Sequence, residues 1–405
     1  CSWEQIIKKL ESSQIKTKEF IDARDHIVLP GLINAHSHLP MSLFRGLSDD
    51  QPFNDWLYKS ILPLEARLVS PEFVKIGTEL ACLESLLAGI TTTHDMYYFE
   101  EDIADTVVKC GMRGVLGEHI FDLPPPDDKD QKGNDYKIAQ KVVEKYKNHP
   151  HLHPIISPHA PYTCGDKTIK KVIEFSRKFD IPIGIHLSET EAEVQSSLKD
   201  YGLSPLMRLY ELGFFERPII AAHCVHLTDQ EIEIAAKKKM GISYNPDSNM
   251  KLGVGAAPVP KFLDAGIDVG IGTDSAASNN NLNILQEMDT GAKLQKLVNQ
   301  NNTAVTASDV LWMATLGGAN ALKIGHLVGS IEVGKRADII CVNTRYPHMQ
   351  PMHDPIAQLV YSAQGFEVDH VFVNGNKTVQ NKKPLTIDAQ DLFSRIEHYR
   401  SVNRF

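Results

Sequence analysis

From Ile27 onward, short apolar runs alternate with stretches of helical period, the pattern of repeated strand-helix units with parallel strands. Eight strands are predicted: HIVLPGLINAH (26 to 36), GITTTHDMY (89 to 97), MRGVLGEHI (112 to 120), LHPIISPH (152 to 159), IPIGIHL (181 to 187), PIIAAHC (218 to 224), GISYN (241 to 245) and DVGIGTD (268 to 274). Their near-continuous apolar character suits a sheet buried on both faces. Between them lie amphipathic stretches at Ser70 to Ala88, Tyr136 to Asn148, Asp166 to Phe179 and Thr228 to Lys239, several opened by Ser, Thr or Asp at the N-cap position. Eight such units over about 250 residues match an α/β fold of the (β/α)8 TIM barrel type. A doubly wound open sheet is the alternative, but its G-x-G-x-x-G fingerprint is missing after the first strand.

Past residue 327 the pattern changes. GSIEVGKRADIICVN, QLVYSAQG and VDHVFVNGNKTVQNKKP read as short strands separated by Gly and Asn turns. The residues before Ile27, including KEFIDARDHIV, are long enough to add strands to the same unit. The expected organisation is a small β-sandwich domain formed from both chain ends (1–26 and 328–385), a barrel inserted between them (27–327), and a helical tail (386–405). Two connections, Asp122 to Asp135 and Pro246 to Pro258, are long for a barrel and read as irregular loops, candidates for lids or binding loops.

Composition narrows the function classes. The chain has 405 residues, 42% of them hydrophobic, enough to bury a large core. A formal net charge of -9 with no block of Lys and Arg lacks the electrostatic footprint of a nucleic-acid binder. No run approaches the roughly 20 apolar residues of a membrane span, and no signal segment precedes the first strand. The six cysteines, at 1, 82, 110, 164, 224 and 341, are scattered and form no C-x-x-C pair. Reduced thiols in a cytoplasmic protein are expected, rather than a disulfide framework or a Cys-based zinc site. A homo-oligomer is left open.

Chemistry concentrates at strand ends, where a TIM barrel carries its active site. His36 and His38 stand at alternate positions of the first strand end, so both rings project to one side and can hold one metal ion. His186 ends the fifth strand and supplies a third ligand; Asp274 ends the eighth and supplies an oxygen. Three imidazoles and one carboxylate leave room for water, as a catalytic site requires. A divalent ion, zinc being the expected one, brings the pKa of that water from about 15.7 towards roughly 7. Asp274, beside this water, is also placed to accept its proton. Glu189 lies three residues beyond His186 and is a candidate general acid and base, although Glu191 and Glu193 beside it suggest an ordinary solvated face. His223, ending the sixth strand, is the candidate to stabilise charge on the attacked centre. His94 and His119 read as core or hydrogen-bonding residues, and His151 and His153 flank a strand start, the wrong end of a barrel.

In order, PGLINAHSHLPMSLFRGLSDD, GITTTHDM, SPHAPYTC, HLSET, AAHCVHL, SYNPDSNMKLG, GTDSAASNNN and GSIEVGKRADI resemble the amidohydrolase superfamily. Within it the resemblance is to the branch containing 5'-methylthioadenosine/S-adenosylhomocysteine deaminases and triazine hydrolases, and it runs from about Asp25 to Lys383. It implies a single metal held by His36, His38, His186 and Asp274, with Glu189 shuttling protons to the purine and His223 supporting the attacking hydroxide. Barrel hydrolases with two metals commonly bridge them by a carbamylated lysine on the fourth strand, and LHPIISPHAP has no lysine. The resemblance further implies that Glu65 receives ribose hydroxyls, that His159 contacts the nucleoside and that Trp56 lines the pocket. From the residues alone, Glu65 reads as a helix-surface carboxylate and Trp56 as core. Tyr244 and Ser275 depart from the branch pattern, and Glu118 stands where an arginine for an amino-acid tail is expected.

The functional expectation is metal-dependent hydrolytic deamination of an adenine nucleoside to the inosine-type product and ammonia. The candidate substrates are 5'-methylthioadenosine, S-adenosylhomocysteine, adenosine and 5'-deoxyadenosine. Glu118 is expected to disfavour a carboxylate-bearing 5' group. Hydrolysis of a triazine-like ring and a catalytically silent barrel scaffold are the competing readings.

Overall fold

The computed structural model describes residues 20–130 and 132–404. The part of the expected N-terminal β unit that precedes Phe20 lies outside the described residues.

Eight parallel strands run in sequence order around one sheet: β2 (Leu32–Ser37), β3 (Ile90–Tyr97), β4 (Arg113–Ile120), β5 (Leu152–Pro158), β6 (Ile183–Leu187), β7 (Ile219–His223), β8 (Gly241–Tyr244) and β9 (Val269–Ile271). The ring closes just beyond β9, where Asp274 N donates to His36 O at 3.0 Å and Ser37 bridges Asp274. Helices cover the outside, including Pro71–Leu87, Asn134–Tyr146, Asp166–Phe179 and Asp229–Lys237, at the positions read from the amphipathic period. The Ser70 hydroxyl caps the first of these at Phe73 N, and Thr228 with Glu231 makes a capping box on the last. Outward residues such as Leu32, Ile90, Ile183 and Val269 pack against the helices. A separate cluster of Ile33, Ala35, Val115, Ile155 and Ile220, sealed by Ala319, Leu322, Ile324 and Val328, fills the barrel below the strand ends.

The predicted strand 26 to 36 is two strands. β1 (His26–Pro30) pairs antiparallel with β10 (Ile339–Asn343), and the chain enters the barrel after Gly31. A side chain there is sterically excluded, since a Cβ on Gly31 would lie 2.1 Å from Thr91 Oγ1. β11 (Val368–Val373), β12 (Asn376–Gln380) and β13 (Lys383–Pro384) complete an antiparallel sheet of order β1-β10-β11-β12-β13, drawn from both chain ends. The helix Ala389–Asn403 then packs back on the barrel, with Tyr399 donating to Leu68 O at 3.0 Å.

A second expectation is corrected. Pro246 to Pro258 is not irregular throughout, because Pro246–Lys251 forms a short helix with Pro at its first turn. Among the described residues the five cysteines are unpaired, and no helix is long and apolar enough to cross a membrane.

Barrel and sheet are joined by a buried ion pair. Arg113 at the start of β4 donates from Nε and an Nη to the two oxygens of Asp338, at 2.9 and 3.0 Å, and Asp338 also accepts from Asn374 N. Both side chains are almost wholly buried, so removing one leaves the other charge without a partner. Asp338→Ala is expected to cost about 3–5 kcal/mol of stability, measured by urea unfolding. A loss below about 1 kcal/mol, the value of a surface pair, would show that this junction carries little.

Candidate metal and active site

The two histidines of the first barrel strand are aimed by a bulge. Asn34 pairs with Thr93 and Ser37 with Asp95, so β2 holds one extra residue there relative to β3. Ile33 and Ala35 face the barrel interior below it; above it the phase switches, and His36 and His38 reach the mouth. His186 comes from the end of β6, where outward Ile183 and Ile185 leave Gly184 and His186 pointing in. Simple alternation puts His223 with outward Ile219 and Ala221. Its left-handed backbone, φ 69°, turns the ring back to the mouth.

His36 Nε2 lies 3.4 Å and His38 Nε2 3.3 Å from Asp274 Oδ1, and His38 Nε2 lies 3.2 Å from His186 Nε2. Ligand atoms of a tetrahedral ion bound at about 2.0–2.1 Å stand about 3.3–3.4 Å apart, so this donor set fits a zinc-sized ion. Both ring nitrogens of His36 are buried without a hydrogen-bond partner, a costly state for a group that no cation engages. The surrounding contacts set the ring orientations. His38 Nδ1 faces Met96 O at 2.6 Å and His186 Nδ1 faces His159 O at 2.7 Å, so each ring donates from Nδ1 and keeps the Nε2 lone pair for the cluster. Asp274 Oδ2 accepts from the Ser248 and Ser278 hydroxyls at 2.6 and 2.9 Å, leaving Oδ1 to the imidazoles. Burial holds His36 down at about 3 and His186 well below the ordinary imidazole range, so both rings stay neutral, whereas His38, despite its burial, is lifted to about 9 by the facing Asp274 carboxylate and must give up that proton to ligate.

Above the cluster opens a cleft that is partly continuous with solvent. Its walls include Trp56, Glu65, His159, Glu189, His223 and Asp274, so every expected site residue except the deeper His36 reaches the cleft. Glu189 Oε1 stands 3.8 Å from His223 Nε2, and burial raises its carboxyl above the usual range. His223 Nδ1 faces Asn249 Oδ1 at 2.9 Å, which leaves Nε2 towards Glu189 and the cleft. Glu65 is buried rather than on a helix surface, and burial pushes it up to about 7 against the opposing Tyr97 and Tyr98 hydroxyls. Trp56 and Glu65 are nine residues apart, which at about 100° per residue of α-helix sets them on opposite faces. The intervening π-helical turn Trp56–Ile61 winds less per residue, and both side chains reach the same cleft.

A model of the amidohydrolase family matches residues 27–378. The chain belongs to the amidohydrolase family. Over 387 residues it is 40% identical to a 5-methylthioadenosine/S-adenosylhomocysteine deaminase of Syntrophobacter fumaroxidans, covering 96% of this chain and 88% of that one. Over 401 residues it is 41% identical to a 5'-deoxyadenosine deaminase of Methanocaldococcus jannaschii, covering 98% and 94%. The crystal structure of an adenosine deaminase from Xanthomonas campestris with bound zinc superposes with a TM-score of 0.90 at 36% identity, covering 94% of this chain and 86% of that chain.

Two features of this amidohydrolase correct the residue reading. Glu118 does not reach the cleft: on β4 it alternates with His119, and its Oε2 accepts from Glu100 N at 2.7 Å, capping the helix Glu100–Cys110. The expected repulsion of a 5' carboxylate by Glu118 therefore has no geometric basis. Glu193 is no solvated residue; it is buried and accepts from Ser188 N and Glu189 N at 3.0 and 2.8 Å, fixing the backbone that presents Glu189. Residue reasoning also passed over Tyr97, Tyr98, His119 and Phe121 in the cleft wall, and the supporting Ser248, Asn249 and Ser278. For His119 the alternation along β4 was the available signal.

Proposed function

We propose that this amidohydrolase is a zinc-dependent hydrolytic deaminase of adenine nucleosides, with a single ion held by His36, His38, His186 and Asp274. The observation that carries this reading is Glu189, a buried acid 3.8 Å from His223 on the rim of a metal-competent cluster, within an aromatic cleft. Nearly full-length identity to adenine-nucleoside deaminases supports it. The triazine and scaffold readings explain neither that kinship nor a complete set of proton-transfer groups.

A divalent ion held by His36, His38, His186 and Asp274 would supply an acidified water near neutral pH. Asp274, at the edge of the cluster, would take up one proton of the attacking water as the oxygen adds to C6 of the purine. Glu189, whose carboxyl burial raises above the usual range, delivers a proton to a ring nitrogen, which lets C6 accept the oxygen. His223 Nε2 holds the attacking oxygen and offsets the charge it gains. The proton taken up by Asp274 passes to the amine, the hydroxyl proton of the C6 adduct returns to Glu189, and the C6–N6 bond breaks to release ammonia and the inosine-type product. Trp56 and Phe121 supply flat apolar walls for the base, Glu65, flanked by Tyr97 and Tyr98, receives ribose hydroxyls, and His159 contacts the nucleoside.

Among the described residues no Lys or Arg lines the cleft, so an anionic 5' end meets no counter-charge there. Adenosine, 5'-deoxyadenosine and 5'-methylthioadenosine are expected to be deaminated at least as well as S-adenosylhomocysteine, with adenine and AMP poor. An ultraviolet assay across this panel, with a chloro-triazine included, tests the assignment. Preference for the triazine or the free base would overturn it, and strong preference for S-adenosylhomocysteine would overturn the argument from cleft charge.

A further inference from the structure

We propose that His119 is a specificity-determining residue that hydrogen-bonds a hydroxyl of the substrate's sugar, an inference that rests on the nucleoside-deaminase reading. His119 projects from β4 into the cleft and is 3% exposed, yet neither of its ring nitrogens has a hydrogen-bond partner in the protein. Its neighbours differ. His38, His159, His186 and His223 each place Nδ1 against Met96 O, Thr163 Oγ1, His159 O and Asn249 Oδ1 respectively, which locks the ring. His36 shares the unpartnered state, but it belongs to the metal-competent groups and His119 does not. The donor and acceptor of His119 are thus left for whatever enters the cleft.

Its position selects the sugar. The ring packs edge-on against Tyr98, centroids 5.3 Å apart, and against His159, 5.4 Å apart, and lies 6.2 Å from Tyr97. Tyr97 and Tyr98 flank Glu65, whereas the proton-transfer pair Glu189 and His223 is grouped with Asp274. His119 therefore stands between the Glu65 wall and the metal-competent cluster, its ring 5.6 Å from His38 and 6.2 Å from His186, where a sugar hydroxyl reaching from Glu65 towards the reacting base can meet it. A neutral imidazole carries one donor and one acceptor, and a hydroxyl is a donor and acceptor too, so the two match. Ring packing on two sides holds the imidazole in place without using either nitrogen.

The test compares wild type, His119→Ala and His119→Gln, each metal-loaded, on adenosine and on its 2'-, 3'- and 5'-deoxy analogues. His119→Ala is expected to lower kcat/KM for adenosine by about 10- to 100-fold, mainly through KM, with metal content unchanged. That loss should largely vanish for the one analogue lacking the partner hydroxyl. His119→Gln, which retains a donor and an acceptor, should recover part of the discrimination, and it carries the comparison if the alanine variant is unstable. An equal loss on all four nucleosides, or none, would overturn the assignment while leaving the deaminase reading intact. Failure of the wild type to deaminate any of the four would overturn both.

Discussion

A His186→Ala, Asp274→Ala double variant is expected to lose its bound metal and at least about 10⁴-fold of kcat/KM while keeping the barrel fold. In the proposed set these residues are two of four donors, and a site left with His36 and His38 would have two open corners. Without the ion, the attacking water returns towards a pKa of about 15.7 and almost none is ionised at neutral pH. The barrel does not depend on these side chains, since its core lies in the strand-helix packing and the plug below the strand ends. Metal analysis and circular dichroism on the same sample read the two halves of this expectation. Undiminished metal in the double variant, or two ions per chain in the wild type, would contradict the single-ion cluster.

Glu189→Gln carries the next largest effect: metal retained, fold retained, and kcat reduced by about 10²- to 10⁴-fold. Glutamine keeps the shape of the side chain and cannot exchange the proton. The anchoring of this position is main-chain, through Ser188 N and Glu189 N on Glu193, so it survives the substitution. Steady-state kinetics with adenosine check the loss, and a near-normal kcat would move the proton role to another group, His223 first.

The barrel and the metal cluster were legible because both rest on periodicity. Buried parallel strands announce themselves as apolar runs, and His36 with His38, His186 and Asp274 all stand at the ends of such runs. What escaped depends on local departures from periodicity. The bulge after Asn34 is set by pairing with β3, which no single segment reveals. One apolar run divides at Gly31 between two sheets because its first half pairs with β10 and its second with β3, partners remote in sequence. The π-helical turn after Trp56 brings Trp56 and Glu65 to one cleft, where α-helical counting sets them apart. Glu118 was assigned to the pocket by charge, and the parity of β4 reverses it: the carboxylate caps a helix, while the neighbouring His119, read as a core or hydrogen-bonding residue, is buried and faces the cleft.

Metal dependence of nucleoside deamination tests the central claim most directly. The purified protein is assayed with adenosine as isolated, after removal of metal by a chelator, and after return of one equivalent of zinc, with inosine and ammonia both quantified. The expected result is equimolar inosine and ammonia from the native protein, loss of activity on chelation, and recovery at one zinc per chain. Undiminished deamination by metal-free protein, or no inosine from zinc-loaded protein, would contradict it.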